Sequence, residues 1–395
     1  MRILIVDDDA DMRRLLLRTL QRWGYDVVSA ADGVEAWEHL QNESISFVIT
    51  DWIMPKLDGL GLCRRIREAR LARYIYIILL TAKNSKDELI KGMEAGADDF
   101  LIKPFNAGEL KVRIRAGERI VTLESNLEEQ NKKLQDAYSR IREDLDAAVK
   151  MQRGLLPSSA LTVSGFRFEW IFVPCHFVAG DIFNFFQLNE HRVGFYILDV
   201  AGHGIPAAML SVTLSKVLSP ISSQGSPLMR FFSDPPHYDV ATPAEAVHAL
   251  NQMFQSDDDA IHYFTMVYGI VDAGSARTIL TQAGHPSPVY QPKGGRAELL
   301  GTGGFPVGML PDAKYDEQHL TLHPGDRLFL YSDGITECTG KNGELFSRDR
   351  LITLLEEWRD RPLQDVTAGI QQTLERWRGS DEFEDDVTLL ALERV

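Results

Sequence analysis

The chain has 395 residues, a length typical of two or three domains rather than one. Its composition is ordinary for a globular protein, and a net charge of -15 argues against nucleic acid or an anionic membrane surface as the main partner. Three widely spaced cysteines form neither a disulfide framework nor a zinc motif, and the N-terminal MRILIVDDD lacks the features of a signal peptide. Because no apolar run reaches about 18 residues, we expect a cytoplasmic protein without a membrane span.

Residues 1 to about 116 alternate short apolar runs with amphipathic stretches. Five apolar runs predict β-strands, at 3–6, 25–30, 47–50, 74–80 and 99–102. Between the first two runs, apolar residues recur at helical spacing from Met12 to Trp23. Alternating strands and helices predict an α/β domain with a doubly wound parallel sheet and helices on both faces.

Polar residues follow four of these strands. They are Asp7 and Asp8, Asp51, Thr81 and Lys103. Ligands of an open parallel sheet bind beyond the carboxyl ends of the strands, and clustered carboxylates bind Mg²⁺. Asp51 could then attack a phosphoryl group, while Thr81 and Lys103 bind its oxygens. The alternative is that each residue is an ordinary cap or turn residue.

The stretches LIVDDD, VITDWIMPKLDG, LLTAK and DDFLIKPF resemble the CheY-like receiver domain of response regulators, here over residues 1–118. The resemblance implies that Asp51 is the phosphoacceptor for a cognate histidine kinase or another phosphodonor. It also implies that Asp7, Asp8 and Asp51 bind Mg²⁺. Thr81 and Lys103 would then sense the phosphate, and Phe100 would be the aromatic switch residue.

A highly charged stretch without proline runs from Ala116 to about Gly154. Apolar residues repeat every seven positions, at Ile120, Leu127, Leu134, Ile141 and Ala148. A second row begins well at Leu123 but is weakened by Gln130, Ala137 and Asp144. The repeat predicts one long helical linker over residues 119–157 that forms a homodimeric coiled coil with a local irregularity. The alternative is a single exposed spacer helix.

Residues 158–395, from the end of the LLPSS motif onward, are rich in aromatic and β-branched runs. Six runs predict strands, four amphipathic stretches predict helices, and together they indicate an α/β sandwich. The proline-rich residues 219–243 predict a long surface loop.

Acidic residues lie at several strand ends of this second region. In YILDVAGHG, Asp199 ends an apolar strand, and the glycines after it allow the Val200 carbonyl to face the same ion. Further acidic positions are Asp181, Asp333, Asp385 and Asp386. Brought to one edge, they would hold two Mg²⁺ or Mn²⁺ ions and support direct hydrolysis of a phosphate ester by water. The alternative is a set of plain Asp-Gly turns.

The motifs VAGD, LDVAGHG with PAAML, YFTMVYGIVD, AGHPSPVY, LFLYSDGITE and EDDVTLL resemble metal-dependent PP2C-like serine/threonine phosphatases of the SpoIIE type. The resemblance implies a metal-binding set of Asp181, Asp199, Val200, Asp333, Asp385 and Asp386. Two positions depart from it. Ala179 replaces a glycine, and Asn184 replaces an aspartate, which predicts a weaker outer metal contact.

The layout therefore indicates a response regulator whose output is a phosphatase controlled at Asp51. The resemblance implies a phosphoprotein substrate, usually a STAS-type anti-sigma-factor antagonist. The alternative function is that of a non-catalytic adaptor of the RssB type, which binds a sigma factor or another partner. A DNA-binding output is disfavoured by the acidic composition. We expect turn or packing roles for His203 and His285.

Overall fold

The structure, a computed structural model, describes residues 1–69, 71, 73–82, 86–157, 165–202, 204–220, 226–233, 238–255 and 263–395. The chain divides into two compact units, Met1–Arg140 and Ile141–Val395. No helix in these ranges combines the length and the apolar composition that a bilayer-spanning segment needs.

The first unit is a five-stranded parallel sheet with helices between its strands. Its elements are β1 Arg2–Val6, α1 Ala10–Arg22, β2 Asp26–Ala30, α2 Gly33–Asn42, β3 Phe47–Asp51, α3 Gly59–Glu68, β4 Tyr76–Thr81, α4 Lys86–Glu94, β5 Asp99–Ile102 and α5 Ala107–Arg153. The strand order is β2-β1-β3-β4-β5, and every pair is parallel. The predicted doubly wound α/β fold is confirmed.

Aspartate side chains fix where the first three helices begin. Asp9 accepts a hydrogen bond from the backbone N–H of Asp11, and Asp32 and Asp58 cap α2 and α3 in the same way. Such caps satisfy amide groups that have no partner within the helix. Apolar clusters fill both faces of the sheet, so its carboxyl edge is held rigidly.

Helix α5 is a single element of 47 residues. The predicted long linker helix is therefore present, and it continues the last helix of the first unit without a break. Several of its apolar residues are between 56% and 69% exposed, namely Leu123, Leu127, Leu134, Tyr138 and Ile141. Pairing of this apolar row with a second chain stays a prediction.

The second unit contains two five-stranded antiparallel sheets. Its strands are β6 Phe166–Val173, β7 Ile182–Gln187, β8 Arg192–Val200, β9 Met229–Phe231, β10 Tyr238–Val240, β11 Phe264–Asp272, β12 Arg277–Ala283, β13 Val289–Gln291, β14 Glu298–Leu299, β15 Glu317–Thr321, β16 Arg327–Tyr331 and β17 Val387–Arg394. Its remaining helices are α6 Ile205–Val217, α7 Pro243–Met253, α8 Asp333–Thr336, α9 Arg348–Glu357 and α10 Leu363–Arg378. The sheet orders are β15-β12-β11-β8-β7 and β14-β13-β16-β17-β6.

Alternation along the strands builds a four-layer sandwich. Phe195 and Ile197 of β8 face a core shared by both sheets, whereas Tyr196 and Leu198 face the cluster formed with α6 and α7. On the second sheet, Phe329 packs with α9 and α10. The predicted α/β sandwich is confirmed.

Several short strands escaped the sequence prediction. Strands β7 and β13–β15 were not identified individually, and the shortest of them, β13 and β14, have only three and two residues and thus little periodic signal. The prediction of a loop over 219–243 is wrong in part, since β9 and β10 pair there as a hairpin. Residues 221–225 and 234–237 lie outside the described residues.

A helical glycine lies against the first sheet. A Cβ at Gly117 of α5 would lie 2.4 Å from Phe47 Cε2 and 2.6 Å from Tyr76 Cδ1. We expect Gly117→Ala to lower the free energy of unfolding of the first unit by about 1–3 kcal/mol, despite the higher helix propensity of alanine. Chemical denaturation followed by circular dichroism measures the change.

Gly108→Ala is the matched control, because Gly108 is an exposed glycine of the same helix with only the Asn106 side chain nearby. Its stability should stay near that of the wild type. A neutral or stabilising effect of Gly117→Ala would contradict the close packing.

Candidate functional site

Three carboxylates converge at the carboxyl edge of the parallel sheet. Asp7 follows β1 and is fully buried, Asp51 ends β3, and Asp8 is exposed. One carboxylate oxygen from each lies within 4.8 Å of the others. Since Mg²⁺ prefers oxygen ligands, the three side chains that the sequence predicted as metal ligands fit such an ion.

Lys103 joins two of these carboxylates. Its Nζ lies 2.9 Å from Asp7 Oδ2 and 2.9 Å from Asp51 Oδ2. The Asp51 Oδ1 atom accepts a hydrogen bond from the Trp52 N–H at 2.8 Å. Burial raises the pKa of Asp51 above its ordinary value, and the nearby Lys103 opposes this rise. The ammonium group thus stands where it could compensate charge on a phosphorylated Asp51.

The two predicted switch positions lie on the neighbouring strands. Thr81 is buried at the end of β4 and pairs with Ile102 of β5, which precedes Lys103. Phe100 of β5 is half-buried, and the Arg113 guanidinium lies 5.6 Å from its ring centroid. Both residues are therefore close in sequence and structure to the strand ends that hold the acidic cluster.

A second group of carboxylates lies at the ends of strands from both sheets of the sandwich. Asp199 is the penultimate residue of β8, and Asp181 directly precedes β7, the neighbour of β8. Asp333 opens α8 just after β16, while Asp385 and Asp386 directly precede β17, the neighbour of β16. The two sheets thus bring together acidic residues separated by up to 205 positions in the sequence.

Asp386 connects the two sheets. Its Oδ1 accepts the Cys175 N–H at 2.8 Å, and its Oδ2 accepts the Gly180 N–H at 2.7 Å and the Asp181 N–H at 3.3 Å. These bonds fix the segment that leads from β6 into Asp181. Sequence reasoning predicted Asp386 only as a possible ligand and missed this anchoring contact.

The carboxylates repel one another in a buried environment. Asp181 is buried, and its Oδ2 has no hydrogen-bond partner within the described ranges. Burial and the charge of Asp199 raise the pKa of Asp181 well above its ordinary value. Burial, followed by the charges of Asp333 and Asp385, raises the pKa of Asp199 to about 8. Such a cluster is stable in its charged form only with compensating cations.

The backbone at this site also suits a bound cation. A Cβ at Gly180 would lie 3.3 Å from the Val200 carbonyl oxygen and 3.5 Å from the Gly202 carbonyl oxygen. The glycine therefore leaves two carbonyl oxygens unobstructed beside the carboxylates. Carboxylate and carbonyl oxygens are the donors that hard divalent cations prefer, so the residues present fit Mg²⁺ or Mn²⁺.

Cys175 lies closer to this site than the sequence indicated. Its Sγ and oxygens of Asp385 and Asp386 all lie within 4.8 Å of one another. Without a bound cation, burial and the charge of Asp386 raise the pKa of the Cys175 thiol to about 12, so the thiol is protonated in the metal-free site.

The last turn of α5 contacts the segment that carries Asp181. The Gln152 Nε2 donates to the Ala179 carbonyl at 2.7 Å, and its Oε1 accepts the Ala179 N–H at 3.0 Å. Asn184 Nδ2 donates to the Leu155 carbonyl at 3.2 Å, a bond that a carboxylate could not make. Ala179 and Asn184, the two positions that depart from the phosphatase motif, therefore contact Gln152 in the last turn of α5 and Leu155 just after it. The sequence analysis did not identify Gln152 as a contact residue.

His285 is buried beside the strand that carries Asp199. Its Nδ1 lies 2.8 Å from Oγ1 of Thr265, and Thr265 pairs with Asp199 across β11 and β8. Burial lowers the pKa of His285 to about 3, so the ring is neutral. This agrees with the predicted packing role. His203 lies outside the described residues.

Comparisons with known proteins agree with the two units. Residues 3–115 match the response regulator receiver domain, and residues 189–395 match the family described as Stage II sporulation protein E (SpoIIE). Over 116 residues, 29% of this chain, the sequence is 41% identical to the chemotaxis protein CheY1 of Helicobacter pylori and spans 94% of that protein.

The second unit has both sequence and structural relatives. Over 210 residues, 53% of this chain, the sequence is 30% identical to the phosphoserine phosphatase RsbP of Bacillus subtilis. The match spans 47% of RsbP, so the chain covers about half of that relative. The SiaA-PP2C domain of Pseudomonas aeruginosa shares the fold, with a TM-score of 0.55 and 22% identity over 65% of this chain and 98% of that one. The chain therefore belongs to the SpoIIE family and carries a response regulator receiver domain at its N-terminal side.

Proposed function

We propose that this protein is a response regulator whose output is a metal-dependent phosphatase acting on phosphoserine or phosphothreonine in a protein. The convergence at Asp199 of acidic side chains from both sheets carries the proposal; Asp181 and Asp386 are buried, Asp199 and Asp333 are half-buried, and Asp385 is exposed. The similarity to RsbP, a phosphoserine phosphatase by name, supports it. A non-catalytic RssB-type adaptor would have no need to retain such a repulsive cluster.

The proposed metal ligands follow the motif assignment. Asp199, Asp333, Asp385 and the Val200 carbonyl would hold two Mg²⁺ or Mn²⁺ ions. Asp181 would act largely through ordered water, and Asp386 would contribute mainly by holding Asp181 in place. When bound, the ions lower the pKa of the attacking water and neutralise charge on the phosphate.

The chain itself supplies a rigid frame for this chemistry. The bonds from Asp386 to the amides of Gly180 and Asp181 hold one wall, and the pairing of β8 with β11 holds Asp199. Acidic groups fixed in this way need little reorganisation when substrate arrives, which favours catalysis.

In the receiver unit, Asp51 would accept the phosphoryl group with Mg²⁺ held by Asp7, Asp8 and Asp51. The carboxylate oxygen of Asp51 attacks phosphorus, and the donor leaves with its bonding electrons. Lys103, now paired with Asp7 and Asp51, would then bind the new phosphoryl oxygens. Thr81 and Phe100 would respond as switch residues.

We assign the coupling between the units to α5. The helix is continuous from the receiver unit to Gln152. The side-chain amide of Gln152 hydrogen-bonds the backbone of Ala179, two residues before Asp181. A change in the packing of the helix would therefore move the segment that carries Asp181 through the side chain of Gln152. The irregular heptads between Gln130 and Asp144 are the proposed bistable element, in a linker of residues 119–157 that forms a homodimer.

The proposed division of the chain is receiver 1–118, linker 119–157 and phosphatase 158–395. A STAS-type anti-sigma-factor antagonist is the proposed phosphoprotein substrate, and a histidine kinase is the proposed phosphodonor. Both follow from family resemblance.

The first prediction concerns hydrolysis of a generic aryl phosphate with added Mn²⁺. We expect Asp199→Ala and Asp333→Ala each to lower kcat/KM on the order of a hundredfold or more, because each change removes a carboxylate that compensates metal charge. Asp349→Ala, at a side chain that is 90% exposed, is the control and should retain activity. Equal activity in all four proteins would refute the proposal.

The second prediction concerns stability without metal. Since folding raises the pKa of Asp199 from 3.8 to about 8, its protonated form is favoured in the folded state, and this contribution to stability is lost as the pH rises through about 8. In EDTA, the free energy of unfolding should fall on the order of 3 kcal/mol between about pH 5 and about pH 9.

Asp199→Asn removes the titrating group, so it should reduce this fall and raise the melting temperature at high pH in EDTA. It should also reduce the stabilisation that Mn²⁺ gives to the wild type. Asp349→Asn should behave like the wild type. Scanning calorimetry distinguishes these cases, and an unchanged pH profile in Asp199→Asn would argue against the buried cluster.

The third prediction concerns regulation. A small phosphodonor such as acetyl phosphate should change the phosphatase activity of the wild type by about fivefold or more, in either direction. Asp51→Ala should abolish that response. An equal response in Asp51→Ala and wild type would exclude control through Asp51.

Gln152→Ala tests the route of the same signal. The variant should still be phosphorylated at Asp51. Its phosphatase activity should change little on phosphorylation, because the two hydrogen bonds between the Gln152 side chain and the Ala179 backbone are lost. Glu128→Ala, at an exposed position of the same helix outside the irregular heptads, is the comparison that keeps the Gln152–Ala179 hydrogen bonds. A full response in Gln152→Ala would place the coupling elsewhere.

A further inference from the structure

A cavity of about 310 Å³ opens beside the candidate metal ligands of the second unit. Its lining includes Glu337, Cys338, Leu345, Phe383, Glu384 and Asp385. Asp385 is a candidate metal ligand, and Gly334, which also lines the cavity, follows Asp333. The volume is near the lower end of the range for ligand pockets, about 300–1,000 Å³, so it suits one side chain of a longer substrate.

The walls of this cavity are fixed by packing. Cys338 and Phe383 belong to the core cluster beneath α9 and α10. A bridge between Thr339 and Leu345 closes the third wall, and the Lys341 N–H donates to the Trp377 carbonyl at 3.3 Å. The cavity is therefore formed before any substrate arrives.

The cavity combines apolar walls with an acidic rim. Leu345, 51% exposed, and Phe383 offer hydrophobic surface. Glu384 is already paired with Arg378 at 3.3 Å. By contrast, Glu337 is exposed, and no cationic side chain of the described ranges pairs with it. An apolar wall beneath an uncompensated carboxylate is complementary to a side chain with an apolar stem and a cationic head.

We propose that this cavity is a specificity subsite that binds an arginine or lysine near the phosphorylated residue of the protein substrate, with Glu337 as its recognition residue. This inference rests on the proposed phosphatase function. The basic side chain would lay its stem against Leu345 and Phe383 and present its charge to Glu337, while the phosphate occupies the neighbouring metal site. The substrate class is thus a phosphoprotein with a basic residue close to its phosphoserine or phosphothreonine.

The test uses the full chain with Mn²⁺ and acetyl phosphate. Its substrates are phosphoserine peptides that differ only in the position of one arginine, placed at successive positions on either side of the phosphoserine. The reference peptide has alanine in place of arginine. We expect arginine at one position to raise kcat/KM about fivefold over the alanine peptide, the size of a partly exposed ion pair. Glu337→Gln should bring that ratio close to one.

Two further variants sharpen the test. Glu337→Lys should reverse the preference, favouring a peptide with glutamate at the same position. Glu344→Gln is the matched control. Glu344 lies in the turn closed by the bridge between Thr339 and Leu345, pairs with Arg350 and does not line the cavity. It should keep the wild-type ratio.

The outcomes separate the two proposals. Hydrolysis by the wild type without any preference for arginine, or an equal preference in wild type and Glu337→Gln, overturns the subsite and leaves the phosphatase intact. Failure of the wild type to hydrolyse any of the peptides or an aryl phosphate overturns the phosphatase and the subsite together.

Discussion

The electrostatic repulsion among buried carboxylates at the edge of the sandwich is the constraint on which the account depends. Asp181 has a buried oxygen without a hydrogen-bond partner among the residues that the structure describes, and the pKa of Asp199 is raised to about 8 by burial and by its acidic neighbours. Burying uncompensated acidic groups costs stability, so their retention at one point needs a compensating benefit. Divalent cations would remove the repulsion and turn the same groups into a hydrolytic site.

The rest of the second unit positions these groups. Two antiparallel sheets share one core, and their strand ends meet where Asp386 holds the backbone before β7 through three amide hydrogen bonds. The C-terminal turn of α5 contacts the same segment, because the Gln152 side chain makes hydrogen bonds to both the N–H and the carbonyl of Ala179. A signal carried by the helix would therefore reach the segment that leads to Asp181, a proposed metal ligand. The receiver's acidic cluster around Asp51 offers a chemically suitable origin for that signal.

The fold was predictable from the sequence, whereas contacts that only the fold creates were not, and the metal-binding roles of the acidic residues stay predictions. Strong apolar runs indicated the two strands that carry Asp51 and Asp199 at their carboxyl ends. Short strands such as β9 and β14 escaped because two or three residues carry no period. The anchoring role of Asp386 joins residues 206 positions apart, so no local pattern reports it. The replacement of an aspartate by Asn184 predicts a weaker outer metal contact, and only the structure shows that the Asn184 amide also donates a hydrogen bond to the Leu155 carbonyl.

A crystal structure of the protein grown with Mn²⁺ tests the central claim most directly, because anomalous scattering identifies the ion without reference to activity. We expect two Mn²⁺ peaks in the second unit, both in contact with the carboxylate of Asp199, and we expect Asp333 and Asp385 to contact one of them. A site without anomalous density, or aspartate side chains turned away from one another, would contradict it.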